Sequence, residues 1–154
     1  MSALVAYFSA EAGKTAGVGK AIAEAIGADL FEIRPEKPYT EADMNWRNPL
    51  ARCNVEHAAG KKVPVEGKIE NFGGYDAVYI GFPIWYGCAP NVVGTFCEGY
   101  DWTGKTVFVF ATSGGGGLGK TAEKLAPFLK GGEIRDVRLF RSGEEAALWA
   151  RENP

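Results

Sequence analysis

The chain has 154 residues, 46% apolar and 23% charged, with 17 basic against 19 acidic side chains and a net charge of −2. That composition excludes a disordered chain, and the near-balance without a run of either sign excludes a nucleic-acid footprint or a polybasic membrane patch. The length fits one domain spanning 1–154 with a sizeable core.

The first element is ALVAYF, Ala3–Phe8, almost continuously apolar, as a strand buried on both faces of a parallel sheet reads. No basic n-region or cleavage site is seen ahead of it, so no leader is expected, and no apolar run approaches the length of a membrane span. Cys53, Cys88 and Cys97 are odd in number and form no C-x-x-C, and with His57 they make a poor zinc set. A reduced, cytoplasmic setting without a structural metal is the expectation.

After Thr15, an apolar stripe of Val18, Ile22, Ala25 and Ile26 marks a helix that Gly27 stops. Gly17 and Gly19 inside it are expected to serve close packing on a sheet, since glycine there costs about 1 kcal/mol relative to alanine. Asp29–Ile33 alternates, as a half-covered edge strand does. From Arg34 to Gly74 runs one long connection carrying Trp46 and His57, and long connections tend to be functional. His57 reads as a solvated loop residue, and Trp46 as a lid or an anchor for its segment.

Ala77–Phe82 is a second continuous strand, and Asn91–Tyr100 a helix with Val92, Val93, Phe96 and Tyr100 on one face. Thr106–Ala111 is the third continuous strand. Thr121–Leu129 is a helix that Pro127 shortens or bends. Ile134–Phe140 alternates again, and Ser142 with Glu145 forms a capping box for a last helix through Leu148 and Trp149. Continuous strands belong in the middle and alternating ones at the edges. The five strands therefore take the order 2-1-3-4-5, a doubly wound α/β sheet with helices on both faces.

In such a sheet ligands bind beyond the carboxyl ends of the strands, near the switch between strands 1 and 3. Three loops leave those ends. SAEAGKT, 9–15, brings hydroxyls, a glycine and a helix N-terminus, which suit a phosphate. PIWYGCAP, 83–90, sets Trp85 beside Tyr86 between prolines. TSGGGG, 112–117, is slim enough for a flat ring to lie close. A phosphate pocket, aromatic plates and a glycine platform describe a mononucleotide with a planar head.

The same glycines match two other patterns. Gly114 to Thr121 spells G-x-x-x-x-G-K-T, and Gly114, Gly116 and Gly119 spell G-x-G-x-x-G. A P-loop needs an acidic partner for its metal, and no other predicted strand ends in Asp. A dinucleotide fingerprint needs an acidic residue closing the next strand, whereas Glu133 and Asp136 lie at its start and middle. The favoured reading is a ligand-edge loop followed by an exposed Lys120 at a helix start.

Together the three loops, GYDAVYIGFPIWYG, YDWTGKTVFVFATSGG and RPEKPYT resemble the flavodoxin family, its bacterial flavodoxin-like branch above all, over nearly the whole length. The resemblance implies a flavodoxin-like three-layer fold and FMN as cofactor. It places Ser9, Glu11, Ala12, Gly13, Lys14, Thr15 and Ala16 around the phosphate. Pro83, Ile84, Trp85, Tyr86 and Gly87 fall near the isoalloxazine, and Thr112, Ser113, Gly114, Gly115 and Gly116 along its other edge.

One departure stands out: the first loop is a residue longer than the family's, with Glu11 where a hydroxyl is expected. An ionised carboxylate only accepts hydrogen bonds, so Glu11 pointing inward would weaken phosphate binding. The leading expectation is a redox protein passing electrons through FMN to a partner protein or a small acceptor. Beside it stands an FMN-dependent NAD(P)H reductase of quinones or similar acceptors, for which the modest net charge and the long connection speak. Outside flavin chemistry a P-loop nucleotide-binding protein remains the alternative.

Overall fold

The computed structural model describes residues 2–9, 14–45, 47–60, 62–86, 88–112 and 119–152. Five parallel strands form the central sheet: β1 (Ala3–Tyr7), β2 (Asp29–Glu32), β5 (Ala77–Pro83), β6 (Thr106–Thr112) and β7 (Glu133–Leu139). Their order is β2-β1-β5-β6-β7, the doubly wound order that the apolar patterning predicts. β3 (Arg34–Pro35) and β4 (Val65–Glu66) pair antiparallel as a small ribbon within the long connection.

Because successive side chains of a strand point to opposite faces, the continuous apolar strands feed two cores. On one face Leu4, Ala6 and Phe8 join Val78, Ile80 and Phe82, and these meet Val92, Val93 and Phe96 of α3 (Asn91–Glu98). On the other, Val5, Tyr7, Tyr79, Phe108 and Phe110 meet Val18 and Ile22 of α1 (Lys14–Ile26). Ala146, Trp149 and Ala150 of α5 (Gly143–Glu152) complete that face. Each large side chain so buried contributes about 1.5–3 kcal/mol.

Glycine is required at one point of this sandwich. Gly81 and Phe110 are cross-strand partners, and a Cβ on Gly81 would lie 2.0 Å from the Phe110 ring. The glycines of α1 divide. A Cβ on buried Gly19 would touch the Tyr7 ring at 3.4 Å, whereas Gly17 is exposed and has open space around it. The expected close packing therefore holds for Gly19 only, because Gly17 lies on the outer side of the helix.

The Ser142–Glu145 box starts α5, with Ser142 Oγ 3.4 Å from both the backbone N and Oε1 of Glu145. α4 (Thr121–Leu125) gives way at Pro127 to a 3₁₀ turn over Ala126–Phe128, as a proline inside a helical pattern dictates. At the amino ends of the strands Lys105 is buried, and its Nζ donates to the carbonyls of Phe72 and Tyr75 at 3.0 and 2.5 Å. The ammonium so fixes the turn that delivers the chain into β5. No described helix is long and apolar enough to cross a membrane.

The long connection is partly helical, as its irregular sequence leads one to expect, and differs from expectation at one residue. Near its middle lies α2 (Arg52–Ala59), an eight-residue helix whose last turn carries His57. His57 is exposed, but it is helical rather than part of a loop.

Candidate functional site

The carboxyl ends of β1, β5 and β6 lie side by side, so the loops that follow them share one edge of the sheet. At that edge β6 ends on Thr112, paired in register with Pro83 of β5. The buried Thr112 hydroxyl lies 2.7 Å from that of Thr15 in the first turn of α1. This contact joins residues 97 apart in sequence and ties the helix start to the sheet.

Ser9, just past β1, reaches the same helix: its Oγ accepts from the Ala16 backbone N–H at 3.3 Å. The first turn of α1 carries no acidic side chain, so its partial positive charge has no counterpart on the helix itself. Lys14 is exposed there. A helix N-terminus with hydroxyls beside it suits an anion. Glu11, Ala12 and Gly13 lie outside the described residues, as do Trp46, Gly87, Ser113, Gly114, Gly115 and Gly116.

The chain leaving β5 makes a tight reversal. Ile84 N donates to Thr112 O at 2.8 Å, and Trp85 and Cys88 exchange backbone hydrogen bonds at 2.9 and 3.1 Å. Trp85 is half-buried, with Phe8 and Tyr39 edge-on to it at 5.6 and 5.4 Å between centroids. Tyr86 stands outside, 44% exposed. The two neighbouring aromatics thus part company: one is gripped by core residues, the other presents its ring at the surface. Cys88 is buried beneath the turn, and burial raises its thiol pKa despite Lys124 nearby.

Over this turn lies α2. Arg52 anchors it: Nε binds Glu56 Oε2 at 2.8 Å, one terminal nitrogen donates to Lys37 O at 2.7 Å, and the guanidinium stacks 4.0 Å above the Tyr39 ring. The Tyr39 hydroxyl donates to Glu56. Burial first, and then that carboxylate, push the Tyr39 phenol well above its ordinary pKa, so it holds its proton tightly. Asn91 Nδ2 donates to Glu56 O at 2.9 Å, pinning α2 to the start of α3.

Tyr86 meets α2 twice. Its hydroxyl donates to Asn54, and its ring stacks on the His57 imidazole at 4.0 Å between centroids and 11° between planes. Burial and the neighbouring Cys53 thiol raise the Tyr86 phenol as well. Asn54 and His57 are the site residues that sequence reasoning misses. No local pattern marks them, because the contact spans 32 residues and depends on how the long connection folds back.

Between these pieces is a hollow of about 280 Å³ lined by Met44, Cys53, Ile84, Trp85 and Tyr86. Its lining is apolar and aromatic, suited to a flat ring. A second cavity of about 440 Å³ lies toward β2, among Phe8, Ser9, Ile33, Pro35, Tyr39 and Met44. Among the described residues no group of His, Cys, Asp and Glu is placed to hold a metal ion.

A family model described as Flavodoxin matches residues 2–151. Two solved structures, from Bacteroides eggerthii and Bacteroides uniformis, carry provisional flavoprotein assignments. They are 39% and 38% identical to this chain, with TM-scores of 0.89 and 0.90. The first match covers 98% of this chain and 96% of the other, the second 97% of each. A flavoprotein in complex with FMN from Lactobacillus acidophilus is 18% identical, with a TM-score of 0.72 and coverage of 97% and 98%. At that identity the likeness is one of fold. No match is found among curated proteins.

Proposed function

Because the chain belongs to the flavodoxin family, we propose that it binds FMN at this edge and carries electrons through it. The observation that carries the reading is the placement of two complementary halves on one edge. Hydroxyls gather at the acid-free start of α1, and an aromatic hollow lies at the end of β5. The first suits a phosphate and the second a planar ring, so the described residues fit the cofactor at both ends.

FMN would supply the electron chemistry, and the protein its placement and electrostatic surroundings. Thr15, Thr112 and Ser9 hold the start of α1 against the sheet. Trp85, locked by Phe8 and Tyr39, forms a fixed wall. Tyr86, exposed at the rim, is the residue a docking partner would meet first. The Tyr39 and Tyr86 hydroxyls are both engaged as donors, to Glu56 and Asn54, which favours a carrier over an enzyme that must deliver protons from tyrosine.

A second reading, reduction of a quinone or similar small acceptor with NAD(P)H, is supported by α2. It walls the aromatic turn and would narrow access to a ring lying there. The test is a titration of the purified protein with FMN, followed by fluorescence. Quenching that saturates, and that is lost with Trp85→Ala, supports the reading; Mg-ATP binding without any FMN binding overturns it. Bleaching of the visible flavin band by NADPH, with turnover on adding a quinone, would move the assignment from carrier to reductase.

A further inference from the structure

Tyr86 is the only non-glycine residue among those described with a left-handed backbone, at φ 56°. A bulky side chain rarely adopts that conformation, and when it does something must hold it there. Here the holders are both on α2. Asn54 and His57 are three residues apart and so share a helix face, and both meet Tyr86. The Asn54 side chain is itself fixed, its Nδ2 donating to Asn48 O at 2.7 Å, which leaves Oδ1 to receive the phenol. The His57 imidazole lies flat on one face of the ring. Arg52, through Glu56 and the carbonyl of Lys37, keeps the helix in place.

We propose that Asn54 and His57 are positioning residues that clamp Tyr86 in its left-handed conformation and so set the rim of the flavin site. The proposal rests on the FMN reading above. One face of the tyrosine ring is taken by histidine, and the rest of the residue stays exposed for the cofactor or its partner. The long connection thereby acquires a role: it orders a strained turn before the ligand arrives, instead of leaving the ligand to do so.

His57 is the only histidine, so its imidazole signals in a proton NMR spectrum need no assignment. In the flavin-free protein they are expected upfield of free imidazole because of the Tyr86 ring, and they should return to ordinary positions in Tyr86→Leu. Ordinary positions in the unaltered protein would overturn the clamp. FMN titrations of His57→Ala, His57→Phe, Asn54→Ala and Tyr86→Ala give the functional arm. His57→Ala and Asn54→Ala should each weaken FMN about three- to tenfold, and His57→Phe, which keeps a flat ring, should stay within about twofold of the original. The His57→Ala effect should vanish once Tyr86 is already alanine.

If Tyr86→Ala weakens FMN while His57→Ala and Asn54→Ala change neither its affinity nor its visible spectrum, the clamp is wrong and the flavin reading stands. If the unaltered protein does not bind FMN at all, the flavin reading falls and takes this proposal with it.

Discussion

α1 with α5 and α2 are held by opposite means. α1 and α5 share one face of the sheet and bury Val18, Ile22, Ala23, Ala146, Trp149 and Ala150 there. α2 buries Cys53 alone, and its attachment is made of an arginine, a tyrosine stack and side-chain hydrogen bonds. Apolar burial is cooperative with the sheet, so the first pair can leave only when the protein unfolds. A helix held by a few polar contacts can open by itself. The difference matters because the two sides meet different halves of the candidate site: the start of α1 borders its hydroxyl end, and the more easily released α2 walls its aromatic end.

Trp149→Ala should break the stronger side. The indole is 4% exposed, packs against Tyr79, Phe108 and Phe140, and donates from Nε1 to Asp136 at 2.8 Å. A global loss of about 3–5 kcal/mol is expected in denaturant titrations; a loss under about 1 kcal/mol would mean that this face is loosely packed. Gly81→Ala should follow at about 2–3 kcal/mol, because Phe110 must move to admit a methyl group. Its loss should also be global, with a lowered melting temperature read by calorimetry.

Arg52→Ala tests the weaker side. About 1–2 kcal/mol of local stability should disappear, seen as faster amide exchange across 37–59 with little change in the exchange of β5 and β6. A global melting shift as large as that of Trp149→Ala would erase the distinction between the two sides. The smallest effect is a gain. Gly17→Ala, on the open face of α1, should stabilise the protein by about 0.5–1 kcal/mol. A loss on thermal melting would mean that the outer face of α1 is covered.

The same contrast explains what the sequence makes legible. β1, β5 and β6 announce themselves because both faces are buried, so apolar residues run without a break and the central position follows. α1 shows its stripe because one face alone is buried against the sheet, with Val18 and Ile22 inward and Lys20 and Glu24 outward. α2 has no stripe to show: Val55 is 41% exposed, and the residue that anchors it is Arg52, which in sequence looks like any surface charge. The loops at the strand ends were readable from topology and their residue types. That Trp85 would be wedged and Tyr86 exposed was not, since the split depends on Phe8, Tyr39 and His57 arriving from three other segments.

Cys53, Cys88 and Cys97 are free and buried, one in α2, one under the turn after β5 and one within α3. Burial also raises the pKa of the Cys88 and Cys97 thiols, so a thiol reagent must wait for an opening before it can act. Cys53 becomes available whenever α2 lifts, Cys88 when the turn loosens, and Cys97 only when α3 leaves the sheet. The order in which the three cysteine-bearing peptides become modified under a slow alkylating reagent, read by digestion at successive times, would therefore rank the opening of three layers in one unmutated sample.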